Sequence, residues 1–257
     1  MTNHRWAILL SLSVWLLLSA ENVCADAIIV APNGLANQNG NTDNLIPFDI
    51  SNPTFNLPSA RYQQVYASSQ FALLGGPQLI TQIAFRPHFL SGSAFSSVLP
   101  DIQINLSTTH SGVDALSNVF ANNVGLNDVT VYSGALPLSS AFTGPQSGPK
   151  DFDIVINLKV AFLYDPAAGN LLLDVRNFGG GLSTFFDAQL EAADGVSRVF
   201  TGFNGVGNVN SPTGTTDTLG LVTQFHFQQV PEPSAVWVSG IVCAMMLAWV
   251  FGIRKFI

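Results

Sequence analysis

Short alternating segments dominate the chain. Between Asp101 and Ser107, Ile102, Ile104 and Leu106 alternate with Gln103 and Asn105. Between Asp151 and Val160, Phe152, Ile154, Ile156, Leu158 and Val160 alternate with Asp153, Val155, Asn157 and Lys159. Side chains two apart share one face of a strand, so each segment predicts a strand with one buried and one solvated face. Weaker patterns predict strands over Ala27–Ala31, Arg61–Tyr66, Gln70–Leu74, Leu79–Arg86, Val129–Ser133 and Leu171–Arg176. Three more follow over Asp187–Glu191, Arg198–Gly202 and Leu219–Phe227. Turns fall between them, at Gly75-Gly76-Pro77, Gly144 to Pro149, Tyr164 to Asn170 and Gly179-Gly180-Gly181.

One stretch, Asp114–Asn123, predicts a helix. Ser111 and Asp114 have capping-box spacing with Asp in place of Glu, and Leu116, Val119 and Phe120 fall on one face. No fixed-period repeat is present. Ten or eleven short strands with almost no helix predict an all-β fold, an antiparallel two-sheet β-sandwich of jelly-roll type.

The two ends depart from this pattern. His4-Arg5 precedes an apolar run from Trp6 to Leu18, followed by small residues at Val23-Cys24-Ala25-Asp26. That is a signal-peptide pattern over residues 1–25, with cleavage between Ala25 and Asp26. Lipidation at Cys24 is the competing reading, but Glu21-Asn22-Val23 lacks the Leu and small residues that it needs. At the other end, Ser234 to Ile253 is 20 residues without a charge. As a helix it would cross about 30 Å of hydrocarbon. Arg254-Lys255 would stay cytoplasmic and leave the upstream chain outside. Residues 26–229 are then the exported domain, and residues 230–257 are the tail.

Pro231-Glu232-Pro233, the apolar run and the basic pair stand in that order. Together they resemble the PEP-CTERM sorting signal of bacterial surface proteins. The resemblance covers about a tenth of the chain. It implies an inner-membrane precursor facing the periplasm, processed by signal peptidase and by the membrane protease exosortase. The product would reach the cell surface or the extracellular matrix. It also implies a source that makes exopolysaccharide, which becomes an expected partner. A plain membrane anchor behind a Pro-rich hinge is the alternative. Arg61 to Tyr66, Asp151 to Ile154, Tyr164-Asp165-Pro166 and Leu171 to Asp174 further resemble an uncharacterised group of such proteins, which implies no activity.

Composition narrows the chemistry. Cys24 and Cys243 both lie outside residues 26–229. The domain therefore has no disulfide, thiolate metal site or cysteine nucleophile. It carries six basic residues (Arg61, Arg86, Lys150, Lys159, Arg176, Arg198) against 14 acidic ones, a formal charge of −8. Without a basic cluster, nucleic acid is not an expected partner.

Catalytic signatures are missing. Glu191 is the one Glu of the domain, no Gly-x-Ser-x-Gly occurs, and His88, His110 and His226 have no ligand at metal spacing. Asn37, Asn39, Asn41 and Asp43 alternate around Gly40, a spacing with which oxygens wrap calcium, although one acid is few for a firm site. Asp151 and Asp153 are a second such pair. The domain has no Trp, so sugar stacking would fall to Tyr62, Tyr66, Tyr132 and Tyr164. The leading expectation is a non-enzymatic envelope or matrix protein with no cofactor. A carbohydrate-binding module and an Asp-dependent polysaccharide hydrolase are the alternatives.

Overall fold

The computed structural model describes residues 26–54, 56–202 and 207–230. The chain divides into two units, one of them Asp26–Gln228, to which all the described residues except 229 and 230 belong. Thirteen strands are present among them. They are β1 (Ala27–Ala31), β2 (Thr42–Asn44), β3 (Ala60–Tyr66), β4 (Gln78–Phe85), β5 (Phe95–Thr109), β6 (Val129–Ser140) and β7 (Ile154–Tyr164). β8 (Asn170–Asn177), β9 (Phe186–Leu190), β10 (Val196–Phe200), β11 (Thr215–Asp217), β12 (Leu219–Leu221) and β13 (Thr223–Gln229) follow. The fold is all-β with antiparallel sheets. The strand orders are β1-β13-β4-β7, β11-β10-β3-β8-β5-β6 and β12-β9-β2.

Alternation placed much of the core but not all of it: Phe152 lies before the strand, and Asn105, expected on the solvated side of β5, is 8% exposed. Ile102, Ile104 and Leu106 are buried on β5. Ile154 and Ile156 are buried on β7, Leu158 packs against the same core, and Val160 is 50% exposed. The β4–β7 register shifts between Ile80 and Gln82, and beyond that irregularity Phe162 and Tyr164 point inward. The irregularity changes which side chains point inward on β4, from Ile80 to Ile83 and Phe85, while β7 keeps even-numbered residues inward on both sides of it. β5 and β6 continue well past their alternating segments and pair with each other over most of their length.

Two predicted elements take another form. Gln70–Leu74 lies in a 3-10 turn over Ser68–Leu74, not in a strand. Phe71 and Leu74, three apart, are buried while Leu73 is 89% exposed, which is a helical spacing. Asp114–Asn123 is not a helix; only Phe120–Asn123 forms a 3-10 turn. Asp114 has a φ of +58°, outside the helical region. Asn123 Oδ1 accepts from the Ser117 amide, and Ser117 Oγ accepts from the Val119 amide. Such side-chain oxygens compete with helical hydrogen bonding. Leu116 and Phe120 are nonetheless buried. They cover Val65, Leu172 and Val199 on the outer face of β3, β8 and β10.

No helix among the described residues is long and apolar enough to cross a membrane. The segment 234–253 lies outside the described residues.

Ile156 is 1% exposed and pairs with Ile83. Ile156→Asp should abolish folding, because an unpaired buried carboxylate costs several kcal/mol against a domain stability of about 5–15 kcal/mol. Lys159, on the exposed side of β7, donates to Ser133 O and sits over the Tyr132 ring. Lys159→Asp should cost about 1 kcal/mol. Urea unfolding of the two variants checks the assignment; equal damage would place the wrong face inward.

Candidate functional site

The most unusual chemistry in the domain is a buried ion pair. Arg86 follows β4 directly, and Asp187 is the second residue of β9. Arg86 Nε and Nη2 each lie 2.7 Å from Asp187 Oδ2, and both side chains are 1% exposed. The Asp187 amide donates to Arg86 O at 3.0 Å, so backbone and side chains lock the same two positions. Gly40 donates its amide to both carboxylate oxygens, at 3.1 and 3.2 Å. A Cβ on Gly40 would come within 2.0 Å of Ala188 O, so only glycine allows this approach. Arg86 Nη2 also donates to Gln38 O, and the guanidinium stands over the Phe152 ring. Burial lowers the Arg86 pKa and raises that of Asp187, and each charge pulls its partner back toward the ionised form.

Arg86 also lines a cleft of about 460 Å³ with Asn37, Lys150, Asp151, Phe152 and Gln224. Lys150 is 8% exposed. Its Nζ donates to Pro145 O at 2.8 Å and sits over the Phe142 ring. Asp151 is exposed. A second cleft, of about 570 Å³, lies at the far end of β5 and is lined by Thr108 to Ser111, Asn122 and Val124 to Asn127. Its lining holds no Asp, Glu, Lys or Arg.

The four calcium candidates go to separate partners. Asn37 is exposed on the first cleft. Asn39 Nδ2 donates to Ser147 O, and Asn39 Oδ1 is buried without a partner. Asn41 bonds the backbone N–H and C=O of Leu190. Asp43 Oδ2 accepts from Ser91 Oγ at 2.5 Å. Asp151 meets the Arg86 cleft, whereas Asp153 Oδ2 accepts from the Ala141 amide. Among the described residues no three His, Cys, Asp or Glu gather as a metal would require. Asp26 is the residue before β1. Ala25, Pro231, Glu232, Pro233, Arg254 and Lys255 lie outside the described residues.

His88, His226 and the tyrosines have structural partners, while His110 is exposed. His88 Nδ1 lies 2.7 Å from Ser91 Oγ and 3.8 Å from Asp43. The serine stands between histidine and carboxylate, not the order of a nucleophilic relay. His226 bonds Gln224 on the outer side of β13. Tyr62, Tyr66 and Tyr164 are fully buried and Tyr132 is 8% exposed, so none offers a face to a sugar.

Sequence reading missed Arg86, Lys150 and Asp187 as a group. Arg86 fitted the polar side of an alternating strand, and nothing local marks it as buried. No family model, no curated protein and no solved structure matches the chain.

Removing one partner of the pair leaves the other charged and buried. Asp187→Ala should cost about 3–5 kcal/mol. Pairing Asp187→Leu with Arg86→Met should recover much of that loss, as denaturant unfolding of the single and double variants would show.

Asp194 gives a pH signature. One carboxylate oxygen accepts from Val196 N and the other is buried without a partner. Burial first, then repulsion from Asp114 and Glu191, push its pKa up to about 6. The unfolded chain ionises near the ordinary 3.8 while the folded one still holds the proton. Stability is therefore lost as pH rises from about 4 to about 6. Asp194→Asn keeps an acceptor for Val196 and should gain on the order of 1 kcal/mol at pH 7, after allowing for solvent screening. Below the ordinary 3.8 the gain should be near zero, read from unfolding temperatures at both pH values.

Proposed function

We propose that this is a non-enzymatic envelope or extracellular-matrix protein, exported through residues 1–25 and sorted through a PEP-CTERM signal at residues 230–257. The observation that carries the reading is the ordered set Pro231-Glu232-Pro233, the uncharged run Ser234 to Ile253, and Arg254-Lys255. The end of β13 at Gln229, next to the triplet, is in keeping with it. So is the pairing of Ala27 with Phe227, which brings the two ends of the domain to one sheet edge. In this reading the precursor is held at the inner membrane by residues 234–253. Exosortase acts near the triplet, and the product joins an exopolysaccharide matrix.

The same proposal takes the fold as a sandwich, with the four- and six-stranded sheets as its layers. Its support is the shared core: Tyr66 of β3 meets Phe225 of β13 edge-on at 5.0 Å, and residues of β1, β4, β5, β7 and β8 join one cluster. Carbohydrate binding by the domain is the second reading, favoured by the cleft at the end of β5, half of whose lining is amide and hydroxyl side chains.

Pro231 and Pro233 each lack an amide hydrogen and disfavour helix at the residue before them. They would present the triplet as an extended peptide at the membrane surface. The protein should lose its tail in a host with exosortase and keep it in a host without. Changing Pro231-Glu232-Pro233 to three alanines should leave full-length, membrane-bound protein in both hosts. Intact mass and fractionation read the result. Trimming of the alanine variant, or none of the wild type, would reduce this end to an anchor.

A further inference from the structure

We propose that the cleft between residues 36–38 and 145–152 binds the carboxylate of an acidic saccharide, with Arg86 and Lys150 as its cationic donors. This deepens, and rests on, the reading of the protein as an exopolysaccharide-associated envelope component. Two of the domain's six basic side chains reach this one cleft, in a domain of formal charge −8. Arg86 is held through Nε and Nη2 by Asp187 and Gln38 O. Its Nη1 donates to no protein group among the described residues. Lys150 gives one of its N–H bonds to Pro145 O and forms no carboxylate pair among the described residues. Two buried cationic side chains with unmatched donors are completed by an oxyanion, through charge-assisted hydrogen bonds.

The remaining lining defines the rest of the ligand. Asn37 and Gln224 offer amides for hydroxyl groups, and the volume lies in the range of about 300–1,000 Å³ typical of small-molecule sites. Three acids lie nearby. Asp187 is engaged with Arg86 and the Gly40 amide, and Asp153 with the Ala141 amide. Asp151 is exposed, where water and salt screen its charge. A neutral sugar would leave the donors of Arg86 and Lys150 unmatched. A uronate residue supplies both the carboxylate and the hydroxyls.

The test is calorimetric titration of the full chain, purified in detergent, with trigalacturonate and with maltotriose at low and high ionic strength. Trigalacturonate should bind, more weakly as salt rises, and maltotriose should give no heat. Lys150→Met keeps an apolar stem over Phe142 and should weaken binding about tenfold or more. Asn37→Asp, at an exposed position, should weaken it similarly by repulsion. Lys159→Met, on β7, should leave the affinity unchanged. No binding of trigalacturonate, equal binding of both sugars, or unchanged affinity in Asn37→Asp or in folded Lys150→Met overturns the proposal. If Lys150→Met does not fold, Asn37→Asp decides alone. The sorting reading is decided by the mass of the tail, so either conclusion can fail without the other.

Discussion

The Arg86–Asp187 pair is the contact on which much of the domain's arrangement depends. Arg86 extends the end of β4 in the four-stranded sheet, and Asp187 belongs to β9 in the three-stranded sheet. Asp187 also accepts from Gly40 and, through its carbonyl, from the Val222 amide. One residue thus fixes the loop before β2 through its carboxylate and the corner between β12 and β13 through its carbonyl. With no cysteine between residues 26 and 229, no disulfide can do this work. Breaking such a buried pair is costly even where an apolar replacement of both partners would be tolerated. Its place in the fold is therefore better understood as fixing geometry than as adding stability.

Neutral polar side chains join the sheets in the same manner. Gln64 of β3 donates to Leu221 O at 2.9 Å and accepts from Leu221 N at 2.8 Å, so its amide mimics a strand partner for β12. Tyr66 meets Thr223 of β13 at 2.9 Å. Gln63 bonds Asp174 and Phe120 O, and Asp174 in turn pairs with Arg61. Asn123 closes that network from the loop that covers β3 and β8. A side-chain amide carries donor and acceptor together, so it can be buried without a counter-charge if both are met. This explains how a chain with only 10% charged residues keeps so many polar groups inside.

Periodicity made the strands legible where one face is solvated. β1 and the first half of β7 are of this kind, and Ile154 and Ile156 point inward as the pattern requires; on β5 Ile102, Ile104 and Leu106 also point inward, but Asn105 and Ser107 on its other face are buried as well. It failed where both faces are covered. Gln63 and Gln64 are both buried on β3, and a sequence reading takes glutamine as a mark of solvent. It failed again at Asp114–Asn123, where local hydrogen bonds from Ser117 and Asn123 outweigh a helical spacing of apolar residues. The short strands β2 and β11 carry no periodic signal in three residues each. The Arg86 cleft was illegible for a different reason. Its residues come from positions 36–37, 86, 145–152 and 224, and only the sheet pairings bring them together.

Arg86 is locked in place by Asp187, yet its Nη1 has no acceptor among the described residues. Side-chain nitrogen NMR of the arginines in the full chain, with hydrogen exchange followed at each guanidinium, tests this arrangement most directly. The account predicts a strongly protected Arg86 Nε–H, hindered rotation about the Nε–Cζ bond, and faster exchange at Nη1 than at Nη2. An Arg86 Nε–H that exchanges as fast as that of the partly exposed Arg176 would contradict it.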